Sequence, residues 1–122
     1  MKIVLVDDNI VPRLKLKKFI LDADKLCEVI EGKNGLEGID IIKKEKPDLV
    51  FLDLLMPGLD GNEVLKRLRS EGIETKVVIL TSDIRDKTKE ELLALGAWQF
   101  LNKPCTGEKV AEIIKTMMKS KK

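Results

Sequence analysis

Short apolar runs alternate along the chain with longer segments of helical period. The runs are Ile3 to Val6 (IVLV), Cys27 to Glu31 (CEVIE), Asp48 to Asp53 (DLVFLD), Lys76 to Leu80 (KVVIL) and Trp98 to Asn102 (WQFLN). The first, third and fourth are nearly continuous in Val, Ile, Leu and Phe, the pattern of parallel strands covered on both faces. The second and fifth are more mixed, which places them at the edges of a sheet.

Between the runs lie segments long enough for crossover helices. Asn9 is placed to cap the first, with Pro12 in its opening turn and Leu16, Phe19 and Ile20 facing inward. Asn34-Gly35 precedes the second, and Gly61-Asn62 the third, whose buried stripe is Val64, Leu65 and Leu68. Asp86 or Thr88 caps the fourth, ahead of Leu92, Leu93 and Leu95. The last helix carries Val110, Ile113, Ile114, Met117 and Met118 at core-facing spacing. Five βα units imply an α/β fold of the (βα)5 type: an open parallel sheet with helices on both faces, because right-handed crossovers leave few other topologies.

With 122 residues the chain fits one domain, expected to span 1–122 without an output domain, since such a domain would need more chain after Met118. Lys and Arg total 23 against 21 Asp and Glu, interspersed, so no strong field favours nucleic acid or a membrane surface. Lys119, Lys121 and Lys122 cluster at the tail and read as a solvated end. Asp7-Asp8 stops the first apolar run too early for a signal peptide or a membrane span, so the expected location is cytoplasmic. Only two cysteines, Cys27 and Cys105, are present, far apart, and there is no histidine, which excludes the usual zinc sites and any Ser-His or Cys-His catalytic pair.

In an open parallel sheet the ligand sits beyond the carboxyl ends of the strands, where strand order reverses. The residues at those ends are Asp7 and Asp8, Asp53, Thr81 and Lys103. With strand order 2-1-3-4-5 the first and third strands are neighbours, and the three aspartates converge. Close carboxylates repel by roughly 4 kcal/mol per pair at an effective dielectric near 20. Hard oxygen donors of this kind suit Mg²⁺, or Mn²⁺ in its place, and a divalent ion together with Lys103 balances the three charges. Asp7 and Asp8 would hold the ion, with Asp53 and the backbone carbonyl of Leu55 completing the protein's share. Such a site, with a lysine ammonium and the Thr81 hydroxyl opposite, is a receptor for a phosphoryl group. Asp53, the lone charge inside an apolar strand, is the candidate acceptor, forming an acyl phosphate.

The motifs VLVDDN, FLDLLMPGLDG, VVILTS and GAWQFLNKP, in this order and spacing, resemble the receiver domains of two-component response regulators over essentially the whole chain. The resemblance implies a flavodoxin-like (βα)5 fold and phosphorylation of Asp53 by a histidine kinase or a histidine phosphotransfer protein. It also implies Mg²⁺ near Asp7, Asp8 and Asp53, with Thr81 and Lys103 contacting the phosphoryl group. The switch it implies couples Thr81 to an aromatic residue of the fifth strand, here Phe100. By the same resemblance Pro104 is a candidate cis-proline, and Trp98 borders the face used for partners or for phosphorylation-promoted dimerisation.

Some positions depart from the family pattern. Cys105 stands where phenylalanine is usual and reads as a small buried filler. Ser82 is larger than the usual Ala or Gly. Leu55 and Asp83 occupy the two positions that tune hydrolysis of the phosphoryl group: Leu55 would shield the site and Asp83 would repel or orient water. The reading is a phosphoacceptor signalling domain rather than an enzyme acting on a separate substrate. The alternatives are a receiver-like interaction module that is never phosphorylated, and a receiver cut from a longer, for example DNA-binding, regulator.

Overall fold

The computed structural model describes residues 1–82 and 86–120. Asp83, Lys121 and Lys122 lie outside the described residues, as does the side chain of Asp86. In chain order the elements are β1 (Lys2–Val6), α1 (Ile10–Ala23), β2 (Glu28–Gly32), α2 (Gly35–Glu45), β3 (Leu49–Asp53), α3 (Gly61–Ser70), β4 (Lys76–Thr81), α4 (Asp86–Ala94), β5 (Gln99–Asn102) and α5 (Gly107–Ser120). All strand pairs are parallel, in the order β2-β1-β3-β4-β5, so the expected (βα)5 flavodoxin-like topology is present with β2 and β5 at the edges.

The two-residue alternation of strand side chains divides the core into two layers. Ile3, Leu5, Leu49, Phe51, Val78 and Leu80 pack with Leu16 and Ile20 of α1 and Val110, Ile113, Ile114 and Met117 of α5. The intervening Val4, Val6, Val50, Leu52, Val77 and Ile79 pack against α2, α3 and Leu92 of α4. Because β1, β3 and β4 are covered on both sides, their apolar runs show no polar alternation.

Helix starts follow side-chain caps. Asn9 accepts a hydrogen bond from the Val11 N–H at 3.2 Å, and Asn34 accepts one from Glu37 at 2.8 Å. The third helix, which Gly61-Asn62 was expected to precede, already includes both residues: it begins at Gly61 and is capped by Asp60, which accepts from the Glu63 N–H at 2.9 Å. Gly61 can then sit directly against the end of β3: a Cβ there would lie 2.6 Å from the Asp53 carbonyl oxygen.

Two helical stripes are narrower than expected. Met118 is 47% exposed, standing about 90° around the helix from the centre of the Val110–Met117 stripe at 100° per residue. Leu93, one residue past the buried Leu92, is likewise exposed. Trp98 precedes β5 rather than beginning it, although its N–H already donates to the Val77 carbonyl at 2.8 Å. No helix among the described residues is long and apolar enough to cross a membrane.

Candidate functional site

Asp7 follows β1, Asp53 ends β3, Thr81 ends β4 and Lys103 follows β5, so parallel pairing in register carries all four to one edge of the sheet. The carboxylates of Asp7, Asp8 and Asp53 present oxygens that all lie within 4.8 Å of one another. Asp7 and Asp53 are 2% and 5% exposed, whereas Asp8 faces solvent.

The buried pair is partly neutralised. The Lys103 ammonium lies 2.9 Å from Asp7 Oδ2 and 3.3 Å from Asp53 Oδ1. Asp7 Oδ1 accepts the Asn9 N–H at 2.9 Å. Burial, then the charge of Asp7, push the Asp53 carboxyl up to about 6, with Lys103 pulling in the opposite direction. Burial works against the Lys103 ammonium, but its hydrogen bond to Asp7 and the charges of both aspartates outweigh this and raise its pKa.

Three carboxylates and one ammonium leave two negative charges when all are ionised, the complement of a divalent cation. The donors are hard oxygens from the end of β3 and the loop after β1, and the cluster is open on the Asp8 side, which fits Mg²⁺ with water as its remaining ligands. Asp8, Asn9, Asp53, Leu55, Thr81, Ser82 and Lys103 line a cleft of about 230 Å³ that gives access to Asp53.

Leu55 lies at this cleft and is 68% exposed, so its side chain stands at the cleft mouth. The chain turns outward after Leu54, and the apolar anchor of the turn is the buried Met56. The Lys103-Pro104 peptide is cis. Cys105 packs against the α1/α5 core layer, and burial raises its thiol above the ordinary range, in keeping with a filler.

Phe100 pairs in register with Ile79 on β4, and both pack in the layer under α2, α3 and α4. Thr81, two residues beyond Ile79, has the same strand parity, so Thr81 and Phe100 are diagonal neighbours on one face. Asp7 and Asp53 share the parity of the opposite layer. The Lys89 ammonium stands 5.6 Å from the centre of the half-buried Phe100 ring. Trp98 is half-buried against the α1/α5 layer, with the Lys76 ammonium 5.0 Å from its ring.

One residue at the site escaped the sequence reading. Arg13 is a buried charge whose Nη1 donates to the Asp7 carbonyl at 2.7 Å and whose Nε donates to Glu31 Oε1 at 2.9 Å. The available signal was its place on the inward stripe of α1 with Leu16 and Ile20, three and seven residues on, where a charge needs a buried partner.

A family model described as the response regulator receiver domain matches residues 3–115. Sporulation initiation phosphotransferase F of Bacillus subtilis strain 168 is 34% identical over 93% of this chain and 90% of its own length. The transcriptional regulatory protein LiaR of the same organism is 33% identical over 97% of this chain but 56% of its own length. The chain likewise spans about half the length of several other curated relatives it matches. Among solved structures, the Vibrio cholerae chemotaxis protein CheY4 superposes with a TM-score of 0.86 at 28% identity, covering 95% of this chain and 97% of that one.

Proposed function

Because the chain belongs to the receiver domains of two-component response regulators, we propose that it takes a phosphoryl group onto Asp53 from a phosphohistidine of a histidine kinase or phosphotransfer protein. The observation that carries this reading is the placement of Asp53. It is a buried carboxylate at a strand end, beside the Asp7-Asp8 pair and ion-paired with the Lys103 ammonium, which also pairs with Asp7.

The ionised Asp53 oxygen attacks phosphorus in line with the donor nitrogen; the P–O bond forms as the P–N bond breaks, and the imidazole leaves. Asp7, Asp8, Asp53 and the Leu55 carbonyl would hold Mg²⁺. When bound, that ion supplies charge compensation for the phosphoryl oxygens. Lys103, released from part of its pairing with Asp53, binds a phosphoryl oxygen, and the Thr81 hydroxyl donates to another. Movement of Thr81 toward the new group empties space beside Phe100 on the same face and lets the ring turn inward, changing the surface around α4 and β5.

The donor must bring the histidine, since this chain has none. Ile10, Val11 and Leu14 form an exposed apolar strip on α1 within a turn or two of Asp8, a surface suited to the donor's approach. The chain catalyses its own phosphorylation and dephosphorylation, and its output is the altered face it offers another protein surface. The test is incubation with Mg²⁺ and a small acyl phosphate followed by intact mass. One phosphoryl group is gained, and the gain disappears with chelator or in Asp53→Asn. Absence of labelling in the folded wild type overturns the proposal.

A further inference from the structure

The two candidate cation ligands Asp7 and Asp8 are joined by a single peptide unit, and the orientation of that unit is what aims Asp8. Asp7 is fixed at several points: its N–H donates to Gly32 at 3.2 Å, its Oδ1 accepts from Asn9 and its Oδ2 accepts from Lys103. Asp8 is exposed and, among the described residues, its carboxylate makes no hydrogen bond or ion pair within the protein. Its position is therefore inherited from the backbone. The Asp7 carbonyl, which belongs to the Asp7–Asp8 peptide, accepts the 2.7 Å hydrogen bond from Arg13 Nη1.

Arg13 is itself held. Its Nε bonds Glu31 Oε1 on β2, and the other Glu31 oxygen takes Lys17, one turn further along α1, at 3.4 Å. Arg13 is 6% exposed, so little water reaches it to replace these partners. Its planar fork serves two acceptors from different elements at once, which a lysine ammonium on a flexible stem does not reproduce.

We propose that Arg13 is a positioning residue: it locks the Asp7–Asp8 peptide plane and thereby sets the affinity of the acidic cluster for a divalent cation. This rests on the proposed cation site. Arg13 touches neither the cation nor the phosphoryl group; it acts through the Asp7 carbonyl, with Glu31 as its anchor. Outer partners of metal ligands commonly govern affinity by about 10–100-fold.

Electrostatics and positioning predict opposite signs. A positive charge near the cluster repels a cation, so if Arg13 acted only through its charge, removing it would tighten binding. If it positions the peptide, removing it weakens binding. The experiment is calorimetric titration of Mg²⁺ into wild type, Arg13→Met, Arg13→Lys and Glu31→Ala, each checked for fold by circular dichroism. Wild type is expected to bind one ion. Arg13→Met should bind about tenfold or more weakly, Glu31→Ala should shift less in the same direction, and Arg13→Lys should remain weakened despite its charge. Unchanged or tighter binding in folded Arg13→Met overturns the assignment of Arg13. Should that variant fail to fold, unchanged affinity in Glu31→Ala overturns it instead. A wild type that binds no Mg²⁺ overturns the cation site itself, and the inference with it.

Discussion

Lys103 pairs more closely with Asp7, at 2.9 Å, than with the candidate acceptor Asp53, at 3.3 Å. The ammonium thus pairs with the same carboxylate charge that a divalent ion would compensate. Replacing it by methionine leaves the cluster with one more uncompensated negative charge. Mg²⁺ binding to Lys103→Met should tighten, by about tenfold for a pair interaction of 1–2 kcal/mol after screening. Phosphoryl incorporation should fall at saturating Mg²⁺, because the second counter-charge for the phosphoryl oxygens is gone. Calorimetry and intact mass on one preparation separate the two effects; weaker Mg²⁺ binding would contradict this charge balance.

Asp53 has a pKa of about 6, against 3.8 for an ordinary aspartate, because it is buried and faces Asp7. The folded protein then binds a proton at Asp53 more tightly than the unfolded chain does. Stability consequently falls as pH rises from about 4 to about 6, and the full penalty, on the order of 2–3 kcal/mol, stands above that window. Asp53→Asn should melt at a higher temperature than wild type in chelator at pH 7.5. The advantage should vanish as pH approaches 4, where Asp53 of wild type is neutral, and saturating Mg²⁺ should narrow it at pH 7.5. Equal melting points at pH 7.5 in chelator would show that Asp53 carries no such strain.

The strand ends were legible because parallel topology converts sequence order into spatial convergence: Asp7, Asp53, Thr81 and Lys103 each follow or close an apolar run, and one edge is the only place those runs end together. What the pattern did not carry was partner choice among neighbours. That Lys103 leans to Asp7 depends on side-chain geometry within an ångström. The place of Arg13 on the inward stripe of α1 signals a buried charge but not its partner, because Glu31 lies eighteen residues away on an edge strand. Leu55 is apolar yet 68% exposed, because hydrophobicity alone does not say on which side of a turn a residue leaves the core. Met118 failed for a similar reason: helical spacing marks a stripe but not its width.

Gly61 joins fold and site at one backbone contact. A Cβ at this position would lie 2.6 Å from the Asp53 carbonyl oxygen and 2.8 Å from the Leu54 Cα, atoms of the strand end itself rather than of a yielding side chain. The Gly61 N–H also donates to the Leu54 carbonyl at 2.9 Å. Gly61→Ala should therefore push α3 away from β3, with an overpacking cost of about 1–3 kcal/mol. It should also slow phosphoryl incorporation, because the displaced backbone carries Asp53. Urea denaturation and the labelling rate report the two effects; wild-type values for both would mean the helix start absorbs the methyl group without moving the strand.

Arg69 ties the opposite side of the molecule together through backbone carbonyls. Its guanidinium donates to four carbonyls: Leu95 at 2.8 Å, Ile73 at 2.6 Å, Thr75 at 3.1 Å and Gly96 at 3.0 Å. These belong to the turn after α3 and the turn between α4 and β5, so one side chain ties the approach to β4 to the approach to β5. Gly96, at φ +84°, leaves the space against which the guanidinium packs. Truncation to alanine strands several half-buried carbonyls at once and should cost about 2–4 kcal/mol, since each charge-assisted bond contributes on the order of 1.5–3 kcal/mol before water substitutes for part of it. Arg69→Lys should recover only a fraction, because a point-like ammonium reaches fewer of the four acceptors. The measurement is the urea midpoint at constant slope, together with amide hydrogen exchange at Ala97 and Trp98. Exchange there should accelerate selectively in Arg69→Ala if the guanidinium fixes the α4–β5 turn, and a uniform change across the sheet would assign the loss to global stability alone.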